Sequence, residues 1–172
     1  KNIERILSLI SVLRSAFSFK NNEEVESVVL EAVLENHHLL TQYRHIYKSQ
    51  WSLVAGLDMV LLEKNLPYTL SYLLDKLGNC LSNLPKSANA NRLGIDEKIV
   101  LEASTIIKLI DAESLVKVDT ETQYRSELDK TLEQVYDLIS KVTGSLSSLY
   151  FSHSVLQHSL LDTIEKINSD EI

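Results

Sequence analysis

The sequence predicts an all-α protein, a single-domain bundle of about seven to nine helices over residues 1–172. Three observations carry that expectation. Apolar residues recur at three- and four-residue spacing through most of the chain. Four glycines and two prolines in 172 residues leave little material for turns. The Asn-Gly and Asp-Gly pairs that close β-hairpins are missing. A hydrophobic fraction of 44% is enough to build a core, so neither disulfides nor a metal are needed to hold it.

The first helix is expected over Asn2 to Phe19, with Ile3, Ile6, Leu7, Ile10, Leu13 and Phe17 as its apolar stripe. Asn21 followed by Glu24 matches a capping box, and Glu23 and Glu24 suit the positive end of the helix that follows. That second helix is expected to turn Val25, Val28, Val29, Ala32 and Val33 inward and to end near Asn36. A central helix is expected from Leu39 to Lys64, with Tyr43, Ile46, Tyr47, Gln50, Val54, Leu57 and Leu61 on one face and Trp51 flanking it. Asn65-Leu66-Pro67 is the next break, with Asn65 as a cap.

A leucine-rich helix is then expected through Tyr68, Leu70, Leu73, Leu74, Leu77 and Leu81, with Gly78 as a close-packing position or weak point. Asn83 to Gly94 is the clearest loop. After it, Asp96 is expected to cap a helix presenting Ile99, Val100, Ala103, Ile106, Ile107 and Ile110, with Ile95 stapled onto Val100. A short piece at Ala112 to Val118 follows. A long helix capped by Asp119 or Thr120 then places Tyr124, Leu128, Leu132, Val135, Ile139 and Val142 at near-heptad spacing, and Thr143-Gly144-Ser145 is expected to end it. A separate, serine-rich last helix is expected from Ser145 to Asn168.

The formal charge of −7 repels phosphate backbones and anionic lipid, and lysines and arginines are scattered singly, so no direct nucleic-acid contact is expected. No run reaches membrane-spanning length, and no membrane association is expected. Cys80 is the single cysteine, which excludes a disulfide framework and fits a reducing compartment. The absence of an initial methionine suggests a segment of a larger protein or a processed product.

Catalytic and metal patterns are missing. His37, His38 and His45 form the densest histidine group, but no acidic or cysteine partner stands at ligand spacing, and His153 and His158 are five apart, off one helical face. Pairs such as Glu102 with Glu113, or Asp129 with Glu133, read as solvated helix faces. Nucleophile elbows and phosphate loops are absent. No enzyme, cofactor or metal is expected.

One stretch, Arg44-His45-Ile46-Tyr47-Lys48-Ser49-Gln50-Trp51, resembles the Arg-x-Ile-Tyr-x-x-Gln-aromatic pattern in the third helix of the TRFH (telomere-repeat-factor homology) domain. Arg14-Ser15-Ala16-Phe17 and Leu101-Glu102-Ala103-Ser104 resemble two further elements of that family in matching order. The resemblance covers about the first two-thirds of the chain and finds no match from Ala112 onward. It implies a nuclear, telomeric interaction domain of the shelterin type, with DNA read by a separate Myb-type domain. It also implies docking of short peptide motifs of telomere-associated proteins, and a possible homodimer. The docking residues it implies are Gln50, Trp51 and Tyr47 with the helix-two face at Val33, Leu34 and Glu35, an apolar anchor packing on Trp51 while Gln50 tethers the peptide backbone. The competing reading is a generic helical assembly segment of a non-telomeric complex, favoured by the near-heptad run from Tyr124 to Val142.

Overall fold

The computed structural model describes residues 1–48, 50–84 and 92–169, with side chains through residue 147. Eight helices follow one another: α1 (Asn2–Phe17), α2 (Glu23–Asn36), α3 (Leu40–Tyr47), α4 (Leu53–Leu62), α5 (Leu70–Ser82), α6 (Ile95–Lys108), α7 (Ala112–Leu115) and α8 (Ser126–Ser169). Among the described residues there is no strand, only an isolated antiparallel bridge between Phe19 and Tyr124. The all-helical expectation holds. The expected loop from Asn83 to Gly94 lies largely outside the described residues, in 85–91.

The centre of the bundle is α1. Its Ile6, Leu9, Ile10, Leu13 and Phe17 are buried, and α8, α5 and α2 pack around it. Leu128, Leu132, Val135, Ile139 and Val142 of α8 form one continuous buried stripe. Leu70, Leu73, Leu74, Leu77 and Leu81 of α5 are buried, with Val100, Ala103 and Ile107 of α6 in the same core. Each fully buried leucine or isoleucine contributes about 1.5–3 kcal/mol relative to exposure, so these stripes hold the helices far more firmly than propensity does.

Several expectations need correction. The helix expected from Leu39 to Lys64 is broken in two. Lys48 turns to a φ of 57°, and the helix restarts at Ser52, whose side chain accepts a hydrogen bond from Ala55 N–H. The buried Tyr43 makes the break tolerable: its hydroxyl accepts from Ser52 N–H at 3.0 Å and donates to the Gln50 carbonyl at 3.1 Å, satisfying backbone groups that a continuous helix would have paired.

The second helix is rotated from its expected face. Leu30, Val33 and Leu34 are buried, while Val28 is 67% exposed and Val25 is exposed as well. The valines and leucines of α2 form two adjacent apolar stripes that compete, and the leucine side packs into a notch in α4. A Cβ on Gly56 would collide with Leu30 Cδ1, so any larger residue there would push the Leu30 side chain aside. Gly78, by contrast, has ordinary clearance, 3.8 Å from Val100 Cγ1, and is not a close-packing site.

The caps shift by a few residues. Asn22, not Asn21, caps α2; Thr69, not Asn65, caps α5; and Gly94 precedes α6, with the Glu97 carboxylate accepting from its N–H. Ile95 is 76% exposed and staples nothing. Asp119 accepts from Glu121 and Thr122 N–H in a turn ahead of α8 rather than capping it, bonds that hold its carboxyl below the usual range. The stop at Thr143-Gly144-Ser145 is absent: α8 runs 44 residues, about 66 Å, through the region expected to be a separate helix. Gly144 has no neighbour within 4 Å and takes no positive φ, so it costs the helix only about 1 kcal/mol.

Two polar clusters lock α8 to the N-terminal half. Arg125, 3% exposed, donates to the carbonyls of Phe17 (3.0 Å), Phe19 (3.3 Å) and Val116 (3.4 Å) and to the Glu26 carboxylate (2.6 Å). Beside it, Arg14 holds Asp129 bidentately at 2.7 and 3.0 Å and reaches Glu133 at 3.2 Å, while Ser18 donates to Asp129. The acids at 129 and 133 therefore form an interhelical tie, not a solvated face.

Removing Arg125 would strand both the Glu26 carboxylate and three carbonyls. Arg125→Met is expected to cost about 3 kcal/mol in urea unfolding, with part of that loss recovered when Glu26→Gln is added. The Arg14 guanidinium, helped by Tyr124 and Ser18, holds the Asp129 carboxyl down at about 2. A carboxylate with a depressed folded-state pKa contributes stability above its unfolded pKa near 3.9 and loses it as pH falls toward 2. Asp129→Asn is accordingly expected to lower stability by about 1 kcal/mol at neutral pH after solvent screening, with the gap to wild type closing between about pH 4 and pH 2.

Candidate functional site

The linker between α3 and α4 holds the residues the sequence singles out. Trp51 is half-buried and stacked on Tyr43, with ring centroids 5.3 Å apart and planes 14° from parallel. One ring face is thus occupied from within. Tyr47 is half-buried against the other side of Tyr43, at 4.9 Å, and Gln50 is exposed. Val33 and Leu34 lie in the core rather than on a surface beside Trp51. What Trp51 does share with α2 is a small cleft of about 230 Å³ lined by Glu23, Glu26 and Leu30.

A second constellation forms where the start of α1, the end of α2 and the approach to α5 converge. Glu4, Arg5, Ser8, Asn36, His37, His38, Tyr68 and Leu73 line a cleft of about 370 Å³. The end of α2 explains why its histidines are there. His38 N–H donates to the Glu35 carbonyl at 3.0 Å and Leu39 N–H to the Leu34 carbonyl at 2.7 Å, and His38 itself takes a φ of 58°. This is a Schellman ending, with buried Leu34 and Leu39 as its apolar contact, but a histidine stands where glycine is the usual residue.

Tyr68, on the opposite wall, is also left-handed, at a φ of 75°. It sits between Pro67 and Thr69, whose buried hydroxyl donates to the carbonyls of Glu63 and Leu66 and so fixes the turn. Four non-glycine residues take positive φ among the described residues, and two of them meet across this cleft, the His38 and Tyr68 rings 5.5 Å apart and edge-on. Strained backbone of this kind costs on the order of 1–3 kcal/mol per residue and concentrates at functional sites.

The electrostatics are mixed. The Arg5 guanidinium lies over the Tyr68 ring at 5.6 Å. Burial, and then the neighbouring His38, push the His37 imidazole below its ordinary pKa. Its Nε2 is shielded from solvent, with no hydrogen-bond partner among the described residues. His45 belongs to a different cleft, with Ile46 and Glu63, and the side chains of His153 and His158 lie outside the described residues. Among the described residues no group of three or more His, Cys, Asp or Glu could share a metal ion, and no helix is long and apolar enough to cross a membrane.

An all-helical domain with a polar, strained surface cleft is what the fold and this site define. The chain belongs to the Alpha-E family, described as a predicted alpha-helical domain with a conserved ER motif and matched here over residues 1–151. Curated relatives include uncharacterized proteins of Mycobacterium bovis and of two strains of Mycobacterium tuberculosis, each 27% identical over 148 residues, 86% of this chain. The chain spans 16% of the length of these relatives. No solved structure matches it.

This membership overturns the telomeric reading. The relatives are bacterial, and bacteria have no nucleus, so the TRFH resemblance falls together with the nuclear and telomeric placement and the shelterin-type role it implied. The structure shows why the central match misleads. Arg44, Ile46 and Tyr47 are on α3 while Gln50 and Trp51 are in the linker, so the pattern does not occupy one helix.

The residues that sequence reasoning missed are Glu4, Arg5 and Tyr68. Glu4-Arg5 is the one Glu-Arg dipeptide in the chain, a signal that acquires meaning only beside the family description. His38→Gly is expected to raise thermal stability by about 1 kcal/mol, because glycine adopts the left-handed position without a Cβ clash. Thermal unfolding checks this, and an unchanged or lower midpoint would contradict the strain assigned to His38.

Proposed function

We propose that this chain is a non-catalytic helical assembly module and that it meets its partner at the Glu4-Arg5 cleft. The observation that carries this reading is the exposure of both residues. A dipeptide fitting the family's motif lies on the outward side of α1, whose inward side is the core, so its retention serves something other than packing. Its position supports a binding role: both residues line a formed cleft whose walls hold backbone strain. The match to about one-sixth of much longer relatives favours a module that works in company with other parts of a chain or complex.

The test places a photo-crosslinking amino acid at Ser8, on the cleft wall, or at Ile46, on the exposed side of α3, in the full-length protein in its own cells. A discrete adduct from position 8 is expected. It should disappear in an Arg5→Glu variant whose melting temperature is unchanged. Adducts from position 46 alone would move the interface to α3, and none from either position would overturn the reading.

A further inference from the structure

We propose that the Glu4-Arg5 cleft binds a carboxylate group carried by a partner polypeptide, held by the forked N–H donors of Arg5 against the Tyr68 ring. This rests on the cleft being the working face of the module, and adds what it recognises.

The first argument is the state of Arg5. Its guanidinium lies over the Tyr68 ring at 5.6 Å, and no protein acceptor among the described residues takes the guanidinium N–H groups, although every other arginine with a described interaction partner is paired with an acid: Arg14 with Asp129, Arg44 with Glu31, Arg125 with Glu26. A guanidinium pre-positioned by a ring and left without an anion offers two parallel donors to a planar oxyanion, the geometry a carboxylate fills.

The second argument is charge. Glu4 adjoins Arg5, the chain carries −7 overall, and the half-buried His37 imidazole is held toward its neutral form. In that negative field a singly charged guest is opposed less than a phosphate dianion, so the carboxylate is the better fit of the two. A volume of about 370 Å³ falls at the small end of ligand sites and fits a chain end or one acidic side chain rather than a large cofactor.

The experiment follows backbone amide shifts of the 15N-labelled chain. The probes are N-acetyl-Gly-Ser-Gly-Ser-Leu with a free C-terminus, its C-terminal amide, the doubly blocked N-acetyl-Gly-Ser-Glu-Ser-Gly amide, sodium acetate and inorganic phosphate. Saturable shifts at Arg5, His37, His38 and Tyr68 with a carboxylate-bearing peptide, absent with the first peptide's amide, are expected. The free-ended peptide reports a chain terminus and the glutamate peptide an acidic side chain. Arg5→Lys, which keeps the charge but loses the fork, should weaken binding about tenfold with the remaining spectrum unchanged.

Phosphate binding in place of the peptides would overturn the carboxylate assignment. Acetate binding as tightly as the peptides would overturn the polypeptide source. Silence from every probe while the Ser8 adduct persists would overturn the ligand class and leave the assembly face standing, whereas loss of both would remove both.

Discussion

The buried guanidinium of Arg125 is the constraint on which the arrangement of helices depends. It stands at the first turn of α8 and gathers the carbonyls that end α1, the carbonyl that ends α7 and a carboxylate of α2. The Phe17 carbonyl would otherwise be a buried acceptor without this donor and the others would lose a charged partner, so the cation supports the chain reversals around it. Backbone bonds from Arg125 N–H to Ser18 and from Lys20 N–H to Gln123 clamp the same junction. With that end fixed, the apolar stripe of α8 has one register against α1 and α6, and the Arg14–Asp129 pair one turn along the groove follows from it.

The faces of α1, α5, α6 and α8 were legible because each has one apolar stripe, and a single stripe leaves one solution. Where two stripes compete, as in α2, periodicity could not choose, and the choice came from a glycine in α4 that only the folded chain brings opposite Leu30. The break after Tyr47 was illegible for a related reason: it is stabilised by a tyrosine hydroxyl reaching backbone groups seven and nine residues away, and no local turn residue announces it. The cap residues erred by a position or more because Asn21 and Asn22 offer the same chemistry and the tertiary fold selects between them.

The candidate site was almost wholly hidden. Its walls come from three places far apart in sequence, and two of them depend on histidine and tyrosine adopting a backbone conformation that usually signals itself through glycine. A metal reading of His37 and His38 was weighed and set aside, and the structure makes them the ending of a helix; what was not foreseen is the cleft they also line. Trp51, the most conspicuous residue of the sequence, turns out to be tied up with Tyr43. Conspicuous composition and functional exposure are different properties, and here they separate.

The pairing of the two ends of the bundle has a consequence for how the chain is made. Arg14 and Asp129 are 115 residues apart, and Arg125 reaches back 108 residues to Phe17. During synthesis α1 emerges first, but the α8 surface that covers it is not available until more than a hundred further residues have left the ribosome, at about 5–20 residues per second. For those seconds the apolar stripe of α1 is open to water and to neighbouring nascent chains. The fold therefore closes last around its first helix, and the nascent chain spends its longest exposed interval with its future core facing outward.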